Sequence, residues 1–426
     1  MLTCTASSLQ PHEALLLACA TPRDDARVRQ AIEMALAQPE TDWPAIARLS
    51  FRHGVAQCLA WHLRAFTGDP RLPADVAACF ERMLQANARR NRVLLRETAR
   101  LVGRLRAAGI RCLVLKGVAL SLAVYPNPAL RNFADIDLLV DPENYAEAGD
   151  VAAACGFRRE MDENDGSCLH ESYLFSCPED ILTQTLPLEF DRDIPYEALD
   201  THRVVVEIHH GLFRDINGIG RRTDGALFWR SSQFVRAPDG TPLPWPSPEV
   251  MLLHLASHAA HHCFGRLMYF MDIAAAARCF GAQTDWGTLV ALAHQYEVAV
   301  PVYRSLELAV RAFDAPIPDR VLSDLIPTSG RRLPRPPISV SYVFSALPGN
   351  EHTNSLLRYL LLARSRRHLC ISLLRTLALS PVTMRRLYRV QNPLLVAVLY
   401  LLRPLLLAGR LALALCHHLP GIRRLV

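Results

Sequence analysis

Lysine is all but missing from this chain. Of its 47 basic residues 46 are arginine, and Lys116 stands alone. A compact ammonium on a flexible stem and a planar guanidinium fork are not interchangeable, so the one position that keeps lysine is singled out. Aromatic residues are scarce, at 7%, which speaks against a base-stacking platform for nucleic acid. The cysteines, 12 in number, form no CxxC pair, and no Cys/His group has structural-zinc spacing. They read as small buried hydrophobes of a reducing, cytoplasmic compartment. The first residues lack the basic region of a secretory leader, and Glu13 interrupts their apolar run. No repeat period is visible, which argues against a solenoid or propeller. Arg403 and Arg410 break up NPLLVAVLYLL, PLLLAG and LALALC, so no run nears the roughly 18–20 residues of a spanning helix. No transmembrane segment is expected.

Acid is lacking at one end. Residues 331–426 hold 15 Arg and the single acid Glu351, a balance of +14; the remaining 32 basic and 40 acidic residues leave −8 before it. Such a basic tail suits an acidic partner: nucleic acid, an anionic lipid surface reached peripherally through amphipathic helices, or the chain's own acidic part. With 426 residues, 50% of them apolar and 21% charged, the chain has room for two to three domains and is not disordered.

Along the chain, residues 1–108 read as a helical region. Ile46, Leu49, Phe51, Val55 and Leu59 recur at helical spacing, Asp42 is an N-cap candidate ahead of Pro44, and a long helix over about 74–108 ends at Gly109. Residues 109–247 alternate strands and helices: IRCLVL (110–115), a brief helix 118–124, FADIDLLV (133–140), a helix from Asp141-Pro142 to Cys155-Gly156, strands near 172–177 and 186–190, and RVVVEIH (203–209). This predicts an α+β fold with a small mixed sheet between helical regions. A helical pattern returns over 248–326, with one helix from about 285 to 313. Residues 327–350 are Pro-rich and read as a linker into the basic helical tail, 327–426 as a whole.

The chemistry centres on Asp135-Ile136-Asp137. Residues i and i+2 of a strand share a face, with alpha carbons roughly 6.5–7 Å apart, so the two carboxylates converge and repel unless a cation lies between them or one is protonated. A divalent ion answers this, and Mg²⁺ is commonly held by one or two carboxylates plus substrate phosphates. Water-facing acids on a half-exposed strand would also give the pattern. Glu207 in the middle of RVVVEIH is a charge expensive to bury alone, and a neighbouring strand would bring it to the same ion; Glu189, Asp191 and Asp193 are rivals for that place. His209 shares the face of Glu207, and His210 should point away. Upstream, a strand runs into Lys116-Gly117 and a helix, a place where first-turn amides bind phosphate.

The stretch LKGVALSLAVYPNPALRNFADIDLLVDPENYAEA resembles the bacterial uncharacterised nucleotidyltransferase family of the polymerase-beta-like superfamily, whose signature is LKG…Y…R…DIDLLV followed by an acid in a later strand. The flanks RRNRVLLRETARLVGRLRAAGI and LHLASHAAHHCFGRLMYFMDIA are similar too, so the likeness covers about 40–310. It implies Asp135, Asp137 and Glu207 as catalytic metal ligands for Mg²⁺ or Mn²⁺, and Lys116 and Gly117 as contacts to the phosphates of an NTP such as ATP. Arg131 is assigned to neutralising developing charge. The acceptor is a protein, sugar, small molecule or RNA. The chain departs from the wider superfamily in its Gly117-Val118 pair and in the 18 residues from Gly117 to Asp135.

His254, His258 and His261 lie within about 60° of one another on a helix, with His262 beside them. Spacing of i and i+4 can chelate zinc, but HExxH is absent, and a helix face packed on the core with Asp272 as partner explains them as well. Two alternatives thus stand beside the transferase: a metal-dependent hydrolase on this helix, and a catalytically degenerate fold serving as a binding or membrane-surface module.

Overall fold

The computed structural model describes residues 9–159, 170–176, 203–214, 220–221, 228–229, 231–326, 338–345, 381–388 and 390–418, with single positions between 362 and 377. Helices α1 (Pro11–Cys19), α2 (Ala26–Leu36), α3 (Trp43–Arg52) and α4 (Ala56–Leu63) lead to the 34-residue α5 (Ala74–Ala107). Local chemistry sets these ends. Asp25 and Asp42 accept from Val28 N and Ala45 N, satisfying donors that a helix start leaves unpaired. Gly109 follows α5 at φ +78, the left-handed conformation glycine adopts without penalty. Phe80, Leu84, Asn87, Asn91, Leu94, Thr98, Leu101 and Leu105 form the buried stripe of α5 at the three- and four-residue spacing of one helix face.

A mixed five-stranded sheet follows, in spatial order β1-β2-β5-β4-β3. Its strands are β1 (Cys112–Val114), β2 (Asp135–Val140), β3 (Arg158–Arg159), β4 (His170–Ser176) and β5 (Arg203–His209), with α6 (Lys116–Ala123) and α7 (Tyr145–Ala154) between them. Strands β2 and β5 run parallel at the centre, and the other pairs are antiparallel. Two short pairs come next, β6 (Phe213–Arg214) with β7 (Gly220–Arg221) and β8 (Gln233–Arg236) with β9 (Pro242–Trp245). The helix expected over 118–124 starts two residues earlier, and the β8–β9 pair is not foreseen by the sequence reading. Glu189, Asp191, Asp193 and the strand expected near 186–190 lie outside the described residues.

The helical continuation is more broken than its periodicity implies. The run from Pro248 divides into α8 (Pro248–His261) and α9 (Leu267–Phe280), separated where Cys263 and Phe264 take φ +54 and +61. The single helix expected from about 285 to 313 divides into α10 (Trp286–Gln295) and α11 (Ala299–Phe313), with Glu297 at φ +58 between them. Both breaks replace helical with left-handed backbone while the flanking apolar faces keep their period, so periodicity alone does not show them. Helix α12 (Asp319–Leu325) follows.

Part of the segment expected to link body and tail, 327–350, packs on the body. Helix α13 (Val340–Ser345) belongs to the main core: Ile338, Val340, Val343 and Phe344 are buried in it. Phe344 meets His53 edge-on at 4.9 Å, and Tyr342 Oη donates to the Cys263 carbonyl at 3.2 Å. Beyond Ser345 lie α14 (Pro381–Tyr388) and α15 (Pro393–His418). Among the described residues, no helix is long and apolar enough to cross a membrane.

Candidate active site

The pleat does most of the positioning. In β2, Ile136, Leu138 and Val140 are buried at 0–1% exposure, which turns Asp135 and Asp137 to the other face. The parallel register sets Asp137 directly against Glu207 and Asp135 against Val205. Asp135, Asp137 and Glu207 thus occupy one sheet face, with His209 one pleat beyond Glu207. His210 turns the opposite way and meets the Tyr145 ring of α7 at 4.7 Å.

Asp137 is the hub. Its Oδ1 lies 2.8 Å from Lys116 Nζ and 2.9 Å from His209 Nε2, and His209 Nε2 reaches Glu207 Oε2 at 3.4 Å. Asp137, Glu207 and His209 bring three candidate ligand atoms within 4.8 Å of one another. The charge balance differs from group to group. Burial alone would raise the Asp137 carboxyl, but Lys116 and His209 outweigh it and hold it well below the carboxylate range. Burial, then the neighbouring Asp137 charge, pushes Asp135 up to about 6 against the pull of Lys116. Glu207 is desolvated yet lowered by its bond to His209, and the His209 imidazole is raised by both carboxylates against burial. Lys116 is raised too: the three carboxylates overcome its desolvation. A carboxylate pair with divergent proton affinities beside a buried cation is a common mark of a functional site.

Lys116 begins α6, and its backbone sits at φ +41, a left-handed conformation a side-chain-bearing residue adopts at a cost. The residue before α6, Leu115, offers no side-chain cap, so the first-turn amides of this eight-residue helix have no side-chain partner from it. Gly117 has a packing reason of its own. A Cβ there would stand 2.5 Å from the Phe133 Cβ, so the glycine lets α6 lie against the segment leading into β2.

Arg131 is placed otherwise than the expectation of a charge-neutralising residue requires. It is buried in an ion pair with Asp272 of α9, Nε at 2.8 Å from Oδ1 and Nη2 at 2.7 Å from Oδ2, while Nη1 donates to the Asn132 carbonyl. Tyr125 Oη donates to the same Asp272 at 2.6 Å. The guanidinium is engaged at every nitrogen, and at the site its charge lowers Asp135 from a distance. Asp272 accordingly serves Arg131 and Tyr125, not the histidines assigned to it from sequence.

Three residues that the sequence reading missed hold the segment before β2. Asn87 Nδ2 donates to the Ala129 carbonyl at 2.8 Å, Asn91 Nδ2 to Pro128 and Arg131 at 2.8 and 2.9 Å, and Arg90 to Ala134 at 3.0 Å. Helix α5 thus clamps the loop that delivers Arg131 and Asp135. The signal lay in QANARRN: two asparagines four apart face the same side of a helix that gains nothing from their propensity.

The histidines of α8 flank this centre without forming a metal site of their own. Burial drives His254 down to about 3, helped by the charges of Lys116 and His209, and it drives His258 well down, helped by Lys116 and His262. Both are neutral near pH 7. His258 stacks edge-on against His262 at 4.4 Å and against Tyr269 at 5.4 Å. Among the described residues these histidines do not bring three ligand atoms together, which leaves the hydrolase alternative without a metal centre there.

No curated protein and no solved structure matches this chain. A family model described as an uncharacterised nucleotidyltransferase matches residues 39–314, a span that holds α5, the whole sheet, Lys116, the three carboxylates and the histidine helix. The chain is therefore a member of this uncharacterised nucleotidyltransferase family.

Proposed function

We propose that the protein is a divalent-metal-dependent nucleotidyltransferase that moves a nucleotidyl group from an NTP to an acceptor hydroxyl or similar group in the cytoplasm. The observation that carries this is the register of β2 on β5, which sets Asp137 against Glu207 with Asp135 on the same face and Lys116 at the start of α6. Oxygen donors on one rigid sheet suit Mg²⁺ or Mn²⁺, and Asp135, Asp137 and Glu207 would hold it. The metal would neutralise phosphate charge and orient the acceptor for in-line attack. Asp135, raised to about 6 by burial and the Asp137 charge, would be held ionised by a bound cation. Glu207 would complete the ligand set, and it also meets the His209 ring. The Gly117 amide and the Lys116 ammonium meet the triphosphate at the α6 start, and Arg131 keeps the loop before β2 in place.

The test is transfer of label. The full chain, each α-³²P-labelled NTP, Mg²⁺ and a cell extract should yield a labelled acceptor whose class (protein, sugar, small molecule or RNA) is read from its chemistry. EDTA and Asp135→Asn should each abolish the label. Mg²⁺-dependent NTP binding with no label transferred would favour the degenerate, binding-only reading, and absence of NTP binding would overturn both.

A further inference from the structure

Asp137 Oδ1, one of the oxygens of the carboxylate cluster, already takes Lys116 Nζ at 2.8 Å and His209 Nε2 at 2.9 Å. A carboxylate oxygen serving two donors has little capacity left for a metal, and an ammonium 2.8 Å from it repels a divalent ion on the same cluster, so metal entry favours the departure of a donor. His209 is the less mobile of the two, since its ring also reaches Glu207. Lys116 sits on a flexible stem, its side chain 11% exposed, and the amides of the α6 first turn lie beside its alpha carbon. An arginine would grip the carboxylate through two parallel bonds and leave slowly. That is a physical reason for lysine here in a chain that uses arginine everywhere else.

We infer that Lys116 is an exchangeable internal cation: it fills the carboxylate cluster until a divalent metal displaces its ammonium, which then turns to the triphosphate. This rests on the nucleotidyltransferase reading above. Because Lys116 is the only lysine, reductive methylation followed by peptide mapping reports on it alone, apart from the chain's α-amine. The wild-type chain should be protected without metal, react faster with Mn²⁺ alone, and be protected again when tripolyphosphate is added to the Mn²⁺ form. By electron paramagnetic resonance, Lys116→Met should bind Mn²⁺ alone about tenfold tighter than wild type and lose affinity for Mn²⁺·tripolyphosphate. Measurable Mn²⁺ binding with an unchanged labelling rate and equal affinity in both proteins would overturn the exchange and leave the metal site standing. No Mn²⁺ binding in either would overturn both.

The tail carries an independent inference. Leu394, Val398, Leu401 and Leu405 of α15 are 48–79% exposed, and Leu395, Leu402 and Leu406 flank them. The opposite side buries Val396, Leu407 and Arg403, whose Nη1 donates to Tyr388 Oη of α14 at 3.0 Å. A solvent-facing apolar stripe of this extent marks an interaction surface, and the partner is set by charge: 15 Arg against one acid over residues 331–426 matches an anionic surface with an apolar interior. We propose that α15 lies in the headgroup layer of an anionic bilayer. The full chain should sediment with vesicles of phosphatidylcholine plus phosphatidylglycerol and not with phosphatidylcholine alone, and salt should release it. Leu394→Gln, Leu401→Gln and Leu405→Gln together should weaken binding by more than about tenfold. Failure of the wild-type chain to sediment, or a dimer that the triple variant dissociates while vesicle binding stays absent, would overturn the proposal, the latter assigning the stripe to a second copy.

Discussion

Asp137→Asn should destabilise the metal-free protein by about 3–5 kcal/mol, whereas Asp135→Asn, two residues away on the same face, should stabilise it by about 1–2 kcal/mol. The opposite signs follow from what each carboxylate touches. Removing the Asp137 charge strands the buried Lys116 ammonium and takes one of the two carboxylates that meet His209. Removing the Asp135 charge relieves its repulsion with Asp137 and Glu207. The linkage signs agree. Asp137 is depressed in the folded state, so its contribution is present above the unfolded pKa of about 4 and is lost as pH falls through the folded value. Asp135 is raised to about 6, so the folded state holds its proton longer than the unfolded state does. The Asp135 contribution to stability therefore falls as pH rises from about 4 to about 6, and Asn removes that loss. Urea unfolding in EDTA at pH 7 measures both differences. Both variants should lose Mg²⁺ affinity, so metal binding and fold stability move together in one and apart in the other. Equal destabilisation by both would mean that Lys116 is not held chiefly by Asp137.

Arg131→Met should cost about 3–5 kcal/mol with little direct effect on the chemistry of whatever folded protein remains. The substitution leaves Asp272, 1% exposed, as a buried charge with only the Tyr125 hydroxyl to meet it. Adding Asp272→Leu should recover much of the loss, because replacing a whole buried pair is commonly far milder than breaking it. A double-mutant cycle in urea shows this as a large coupling. If the single and double variants were equally unstable, Arg131 would matter for its packing and its bonds to the loop backbone instead of for the ion pair. A steep fall in kcat at unchanged stability would return Arg131 to the reacting groups.

The carboxylate face was legible because it depends on strand period alone. Two acids at i and i+2 and a lone acid inside RVVVEIH need only a pleat and a neighbouring strand to meet, and the β2–β5 register supplies both. What the sequence could not show was partner choice. Arg131 and Asp272 are 141 residues apart, and no local pattern ties them; an arginine ahead of an acidic strand reads equally well as a ligand contact and as a structural cation. Lys116 stood out by composition, but that its charge rests on Asp137 follows from the strand–helix turn at φ +41. The helix breaks at Cys263-Phe264 and Glu297 were hidden for a related reason. Left-handed residues other than glycine leave no mark in hydrophobic periodicity. The Pro-rich composition of 327–350 pointed to a linker, yet tertiary packing draws Val340–Ser345 into the core through Phe344 and His53.

On the proposed function, metal and nucleotide should meet at the Asp135/Asp137/Glu207 face and not at the histidine helix. Crystals of the full chain grown with Mn²⁺ and a non-hydrolysable NTP analogue test it directly, because manganese scatters anomalously and so marks its own position. The expected result is an anomalous peak ligated by Asp135, Asp137 and Glu207, with the triphosphate against the first turn of α6 and Lys116 turned away from Asp137 toward it. A peak on His258 and His262, or a bound nucleotide whose phosphates lie away from Lys116 and the β2–β5 face, would contradict it.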